Sequence, residues 1–347
     1  MMQTMQTPTP VVRTAILLVN LGTPEAPTAA AVRRYLAEFL WDPRVVELPR
    51  LPWWLILHGI ILNTRPAKSA AKYAQIWTDE GSPLLVHTKK QAILLRGLLG
   101  ARGYIGARNL EVRWVMRYGQ PSIGSALDQL VAEGYGRVLV VPLYPQYARS
   151  TTASVEDALA HWQQRNGNGE KLALRSLPSF PENEGYIAAL ATAVRRHWQQ
   201  QGRALRDERL LVMSFHGIPQ RSVERGDPYQ QECVRTAQRL AQTLGLAEHQ
   251  WRLTFQSRFG RAAWLQPYTA TTLAGLAQAG TGCVDVLCPG FVADCLETLE
   301  EIAIENKAVF LAAGGRAFHY IPCLNEQPEW IEALADLVQQ SLADWLP

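Results

Sequence analysis

Eight short runs of β-branched and aliphatic residues punctuate this chain, and most gaps between them carry a helical period. The runs are VVRTAILLV (11–19), LEVRWVM (110–116), RVLVVPL (137–143) and KLALRSL (171–177), then RLLVMSF (209–215), WRLTFQ (251–256), CVDVLC (283–288) and RAFHYI (316–321). PTAAAVRRYLAEFL follows the first run, SIGSALDQLVAEG separates the second from the third, and YTATTLAGLAQAG follows the sixth. Such alternation demands parallel sheets wrapped by helices, because parallel strands need long crossovers. Eight strands could close one barrel or form two four-stranded open sheets. The polar, Gly/Asn-rich WQQRNGNGEK (162–171) interrupts the chain near its middle and favours two halves. We expect one α/β domain over 11–165 and another over 171–322. The amphipathic closing helix, within 326–346, is expected to pack back on the first.

A chain of 347 residues, 48% hydrophobic, can bury cores for two domains. The formal charge of +3 is too small to argue for nucleic acid. The N-terminal MMQTMQTPTPVVRT has no signal-peptide core, and no stretch reaches the ~20 apolar residues of a membrane span. Five Cys, few and odd in number, point to reduced thiols and a cytoplasmic setting. A monomer is expected. LPWWLILHGIIL (51–62) is almost wholly apolar. It is either a buried core segment or an apolar lip that receives a greasy ligand or touches a membrane loosely.

Open parallel sheets bind ligands beyond the carboxyl ends of their strands. After the first strand, NLGTPEAPT (20–28) lacks both GxGxxG spacing and a Walker Lys, so no nucleotide is expected. Gly22 allows a tight turn or a close approach, and Thr28 can cap a helix. In MRYGQPSI (116–123), Arg117 and Tyr118 are either a surface Arg beside a half-buried Tyr or a clamp on an anion. PLYPQYARSTTAS (142–154) offers Ser150, Thr151 and Thr152 at a helix start. Capping explains at least one, and with Tyr144, Tyr147 and Arg149 they also suit a polar binding edge. SFHGIPQR (214–221) ends a strand on His216. FQSRFGRAAWLQPYT (255–269) gathers Arg258, Arg261 and Trp264, which could stack on RNA bases or line a pocket for a flat aromatic anion.

The stretch CPGFVADCLETLEEIAIE (288–305) contains no Lys or Arg. On an α-helix, Asp294, Glu297, Glu301 and Glu305 fall within an arc of about 80°. Val292, Leu296, Leu299 and Ile302 take the other side, as on any surface helix. Asp294 could be an N-cap with Glu297 reaching back. Yet like charges four apart repel, and an uncompensated carboxylate row attracts cations such as Fe²⁺ or Mg²⁺.

Taken together, NLGTPEAPT, IWTDEGSPL (76–84), MRYGQPSI, PLYPQYARSTTAS, SFHGIPQR, FQSRFGRAAWLQPYT and CPGFVADCLETLEEI resemble one family, the ferrochelatases, in order and over nearly the whole chain. The resemblance implies two similar Rossmann-like domains, each a four-stranded parallel sheet flanked by helices, with the active-site cleft between them. It implies insertion of Fe²⁺ into a porphyrin to make haem. It places His216 and Glu297 opposite each other as catalytic and metal-handling residues, with Glu301 and Glu305 along a metal path. Leu21, Arg117 and Tyr118 would lie beside the porphyrin, with Tyr144, Ser150 and Trp264 as further contacts. Some members carry Met or Tyr where this chain has Leu21, which cannot ligate metal. Many carry His in place of Cys295. Some hold a [2Fe–2S] cluster on four Cys; the spacing of Cys233, Cys283, Cys288, Cys295 and Cys323 argues against one here, so no cofactor is expected.

The residue types suit that chemistry. A porphyrin is flat, apolar and edged by acidic groups, so its cleft needs aromatic walls and Arg or hydroxyl groups. Inserting a divalent ion displaces two pyrrole protons. A neutral imidazole can accept one near pH 7, and a carboxylate can pass protons on or hold the ion. Competing readings are a coproporphyrin or other metal chelatase, and a porphyrin or haem carrier. The 51–62 lip leans towards the less charged protoporphyrin.

Overall fold

The computed structural model describes residues 12–105, 110–167, 172–201, 210–260 and 262–345. Arg261, the outer ends of three expected strands (Val11, Lys171, Arg209), part of the polar break and the last residues of the closing helix lie outside them.

The expected strands are all present: β1 Thr14–Gly22, β2 Leu110–Tyr118, β3 Arg137–Pro142, β4 Ala173–Ser176, β5 Leu210–His216, β6 Trp251–Gln256, β7 Cys283–Leu287 and β8 Ala317–Ile321. They form two four-stranded sheets, β2-β1-β3-β4 and β6-β5-β7-β8, and every pairing is parallel. This excludes the single barrel. The two orders are identical once the strands are renumbered, so the kinship of the halves is visible in topology although no repeat is visible in residues.

A central parallel strand is covered on both faces and therefore reads as a continuous apolar run. β1 is buried at every position but Leu21. Ile16 and Leu18 face a core shared with Leu95, Leu99, Met213, Phe215 and Trp330. Ala15, Leu17 and Val19 face Leu127, Val155 and Trp162 on the other side. Gly22 is required by strand packing: with φ at +120°, an added Cβ would lie 1.9 Å from the Tyr118 carbonyl oxygen.

Four helices lie between β1 and β2: α1 Ala29–Trp41, α2 Arg50–Ile56, α3 Leu62–Ile76 and α4 Pro83–Ala101. Thr28 caps α1 through Oγ1, which accepts from the Ala31 amide at 3.3 Å. A π turn, Leu57–Ile61, joins α2 to α3. The segment 51–62 is a buried core segment on one side and exposed on the other. Trp53, Leu57 and Leu62 pack against Leu36 and Leu40, whereas Leu51, Leu55 and Ile60 are 75%, 59% and 59% exposed. The closing helix Pro328–Leu342 packs against α4 and against the helix Glu184–Gln200. Its fully buried Trp330 lies 6.0 Å from the Phe180 ring and 6.2 Å from that of Tyr186.

Candidate active site

His216 is the last residue of β5. Its Nδ1 lies 2.6 Å from the Gly217 carbonyl oxygen. A carbonyl only accepts, so Nδ1 is the donor, and in the neutral ring Nε2 has the lone pair. Gly217 is held tightly, since a Cβ there would come within 2.9 Å of the Gln256 carbonyl oxygen and 3.2 Å of the Trp264 ring. The Trp264 ring centre is 6.3 Å from the imidazole.

Glu301 is fixed by the end of β6. The Ser257 amide donates to Oε1 at 2.7 Å, the Ser257 hydroxyl donates to Oε2, and Gln256 Nε2 reaches Oε2 at 3.4 Å. Ser257 adopts φ +65°, a left-handed backbone that costs a non-glycine residue of order 1–3 kcal/mol. That geometry aims both of its donors at one carboxylate. Burial pushes the Glu301 carboxyl above its ordinary range, and Glu297 adds to the effect; Ser257 and His216 pull the other way. Gln256 Nε2 also donates to the Glu297 carbonyl oxygen at 3.0 Å. The Glu297 carboxylate neighbours the buried Cys295 thiol, whose pKa is pushed up first by burial and then by that charge.

His216, Glu297, Glu301 and Glu305 all line one cavity of about 550 Å³. Sequence reasoning brought these four together and singled out Arg258, which also lines the cavity, but missed Glu300, Ser257, Phe259 and a basic row from α3, Arg65, Lys68 and Lys72. The basic row could have been found, because spacings of three and four place those residues on one helical face.

Three expectations about the acidic stretch need correction. Glu297–Asn306 is a π-helix, with i→i+5 hydrogen bonds, instead of an α-helix. Asp294 is no part of the row and caps nothing: it is buried, accepting from Tyr320, from Thr298 Oγ1 at 3.0 Å and from Asn325 Nδ2 at 2.6 Å. The row is also not uncompensated. Lys72 Nζ lies 2.9 Å from Glu300 and 2.6 Å from Glu305. The opposing charge comes from another helix, where no scan of the acidic stretch would find it.

The porphyrin contacts named from sequence lie outside the cavity lining, although the Trp264 ring lies beside that of His216. Arg117 Nη2 donates to Asp42 Oδ2 at 2.6 Å, and Nε to Ser154 Oγ at 2.7 Å. Tyr118 is 1% exposed and donates to the same Asp42 oxygen at 2.8 Å. Leu21 packs with Leu84, Ala293 and Cys295. Tyr144 is half-buried with no hydrogen-bond partner for its hydroxyl among the described residues. Ser150 is half-buried in the turn before the helix Thr152–Arg165, whose N-cap Thr151 makes no capping bond. Burial pushes up the thiols of Cys233, Cys288, Cys295 and Cys323, which holds them protonated.

This geometry defines a class: an α/β protein of two like parallel sheets, with an imidazole and four carboxylates converging on one cavity. SirB from Bacillus subtilis with Fe³⁺ shares the fold at a TM-score of 0.56 and 12% identity, covering 96% of each chain. CbiX, described as the terminal enzyme for biosynthesis of sirohaem in denitrifying bacteria, does so at 0.50 and 16%, over 95% of this chain and 99% of its own. The family model Ferrochelatase matches residues 13–342. A ferrochelatase of Aromatoleum aromaticum is 59% identical over 96% of this chain and 89% of its own length, and one of Polaromonas sp. is 58% identical over 96% and 88%. The chain belongs to the ferrochelatase family.

Proposed function

We propose that this member of the family inserts Fe²⁺ into protoporphyrin IX, with His216 and Glu297 acting on the bound ring. Iron insertion into a porphyrin, a reaction of haem biosynthesis, follows from family membership. The observation behind the residue roles is the contact of His216 Nδ1 with the Gly217 carbonyl, which leaves Nε2 of a neutral ring to accept a proton, in a residue that lines one cavity with Glu297 and Glu301. That nitrogen accepts a pyrrole proton, and a carboxylate beside it holds the incoming ion or passes the proton on. Binding the ring best in its bent form would turn nitrogen lone pairs towards the ion. Fe²⁺ is substrate, and no resident cofactor is proposed.

The acidic edge of the ring has charge complements in Arg65 and Lys68 at the cavity. Leu21, Tyr144, Ser150 and Trp264 are assigned as ring contacts. Arg117 and Tyr118 would reach substrate only by giving up Asp42, so their proposed part is to hold the wall. The exposed side of 51–62 favours the less charged protoporphyrin and peripheral membrane contact by a cytoplasmic monomer. Among the described residues no helix is long and apolar enough to cross a membrane. The boundary expected at the polar break, between 165 and 171, needs moving, because β4 pairs with β3 in the first sheet; we divide the chain after β4 instead, with the closing helix belonging to the first domain.

Steady-state turnover with Fe²⁺ on protoporphyrin and on coproporphyrin tests the substrate. Preference for protoporphyrin, with activity lost in Glu297→Gln, is expected. Preference for coproporphyrin would overturn the substrate reading, and porphyrin binding without turnover would leave a carrier.

A further inference from the structure

The cavity has two ends of different chemistry. At the inner end, His216 supplies a ring nitrogen beside Glu297 and Glu301. Such a mixed set suits borderline ions such as Fe²⁺ over hard ones. At the outer end, Glu300 and Glu305 offer only oxygen, the donor type that Mg²⁺, Mn²⁺ and Ca²⁺ prefer. Glu300 is 4% exposed and its carboxylate requires a cation nearby. Lys72 is that cation, with Nζ 2.9 Å from one acid and 2.6 Å from the other.

We propose that Lys72 is a specificity-determining residue: its ammonium occupies the place a hard dication would take between Glu300 and Glu305, and so excludes such ions from the outer end. The proposal rests on the reading of this cavity as the metal's way in. A tethered ammonium competes at high effective concentration, which a dissolved ion must overcome. It satisfies the carboxylates without binding so firmly that nothing can exchange, because Lys72 is 38% exposed and Glu305 50%. The other basic residues are poorly placed to replace it. Arg65 lies over the Phe259 ring at 4.4 Å, and Arg258 over that of Tyr268 at 5.0 Å. Lys68 lines the cavity one turn away on the same helix and makes no ion pair among the described residues.

The test uses Mn²⁺ alone as the hard-ion probe, titrated into the full chain without porphyrin and followed by the paramagnetic resonance of the free ion. Lys72→Met should bind Mn²⁺ at least about tenfold more tightly than the parent, a difference of about 1.4 kcal/mol. Lys72→Gln gives a second neutral variant should the first fail to fold. Lys72→Arg should behave as the parent, and Lys72→Met with Glu305→Gln should fall back to it. In turnover with Zn²⁺, Mg²⁺ should inhibit Lys72→Met at concentrations about tenfold lower than it inhibits the parent. Equal Mn²⁺ affinity in the parent and a folded neutral variant would overturn the proposal, as would Lys72→Arg binding as tightly as Lys72→Met. A parent that binds porphyrin but inserts no metal would refute the proposed function instead, while the Mn²⁺ titration would still decide the role of Lys72.

Discussion

The carboxyl ends of the two sheets are built alike and used differently. Beyond β1 and β2, the polar groups are turned on one another: a single Asp42 oxygen accepts from Arg117, Tyr118 and Ser154. Beyond β5 and β6, they are turned outward into a cavity, and Ser257 bears backbone strain to keep Glu301 in place. A closed network of that kind holds helices to strands, whereas the open one leaves lone pairs available. One topology thus supplies a closed wall and an open cavity, and the difference lies in whether the polar groups at the strand ends are sealed among themselves or line open space, as His216 and Ser257 do.

The contrast can be broken by mutation. The largest effect is expected from His216→Ala, which should lower kcat by about 10²–10⁴-fold while porphyrin still binds. Near-parental turnover in a steady-state assay would remove the open site's chemistry from β5. Next comes Asp42→Ala on the closed side. It strands a guanidinium that is only 18% exposed and should cost roughly 3 kcal/mol in urea unfolding, with turnover per folded molecule largely kept. A loss below about 1 kcal/mol would mean that the network holds nothing together.

A smaller effect concerns Glu301, whose folded pKa is raised by burial. A raised carboxyl favours the fold below the unfolded value of 4.5, and that contribution is lost as pH rises through the folded value. Glu301→Gln should therefore raise the melting temperature at pH 7, and the gain should shrink as pH falls towards the unfolded value. A gain that is the same at every pH would show that ionisation is not its cause. The smallest effect is expected from Tyr144→Phe, which removes a buried hydroxyl without a partner and should be neutral or stabilising by about 1 kcal/mol in thermal unfolding. Clear destabilisation would show that the hydroxyl has a partner in solution.

The strands were legible because central parallel strands must be apolar throughout, as TAILLVNLG shows. His216 was legible because a chain that ends such a run on His places it at the rim of a sheet. Glu297, Glu301 and Glu305 were found through a four-residue spacing, although the helix that carries them is π and Asp294 turns away from them. What remained hidden depends on distant partners. Lys72 meets Glu300 across 228 positions and Arg117 meets Asp42 across 75, and no local period encodes either. The left-handed backbone of Ser257 was equally invisible, because serine has no intrinsic preference for it.

The closing helix has a consequence for how the chain is made. Leu139 and Val141 of β3 share their core with Trp330 and Leu334, which are synthesised about 190 residues later. The part of the first sheet's face over β3 stays wet until that helix is made, whereas α4 already covers β1 and β2. Domains usually fold as they emerge, but this one must wait for a helix made after the whole second sheet. A nascent chain stalled a few turns short would carry that exposed face, and quality control would meet it as an aggregating species.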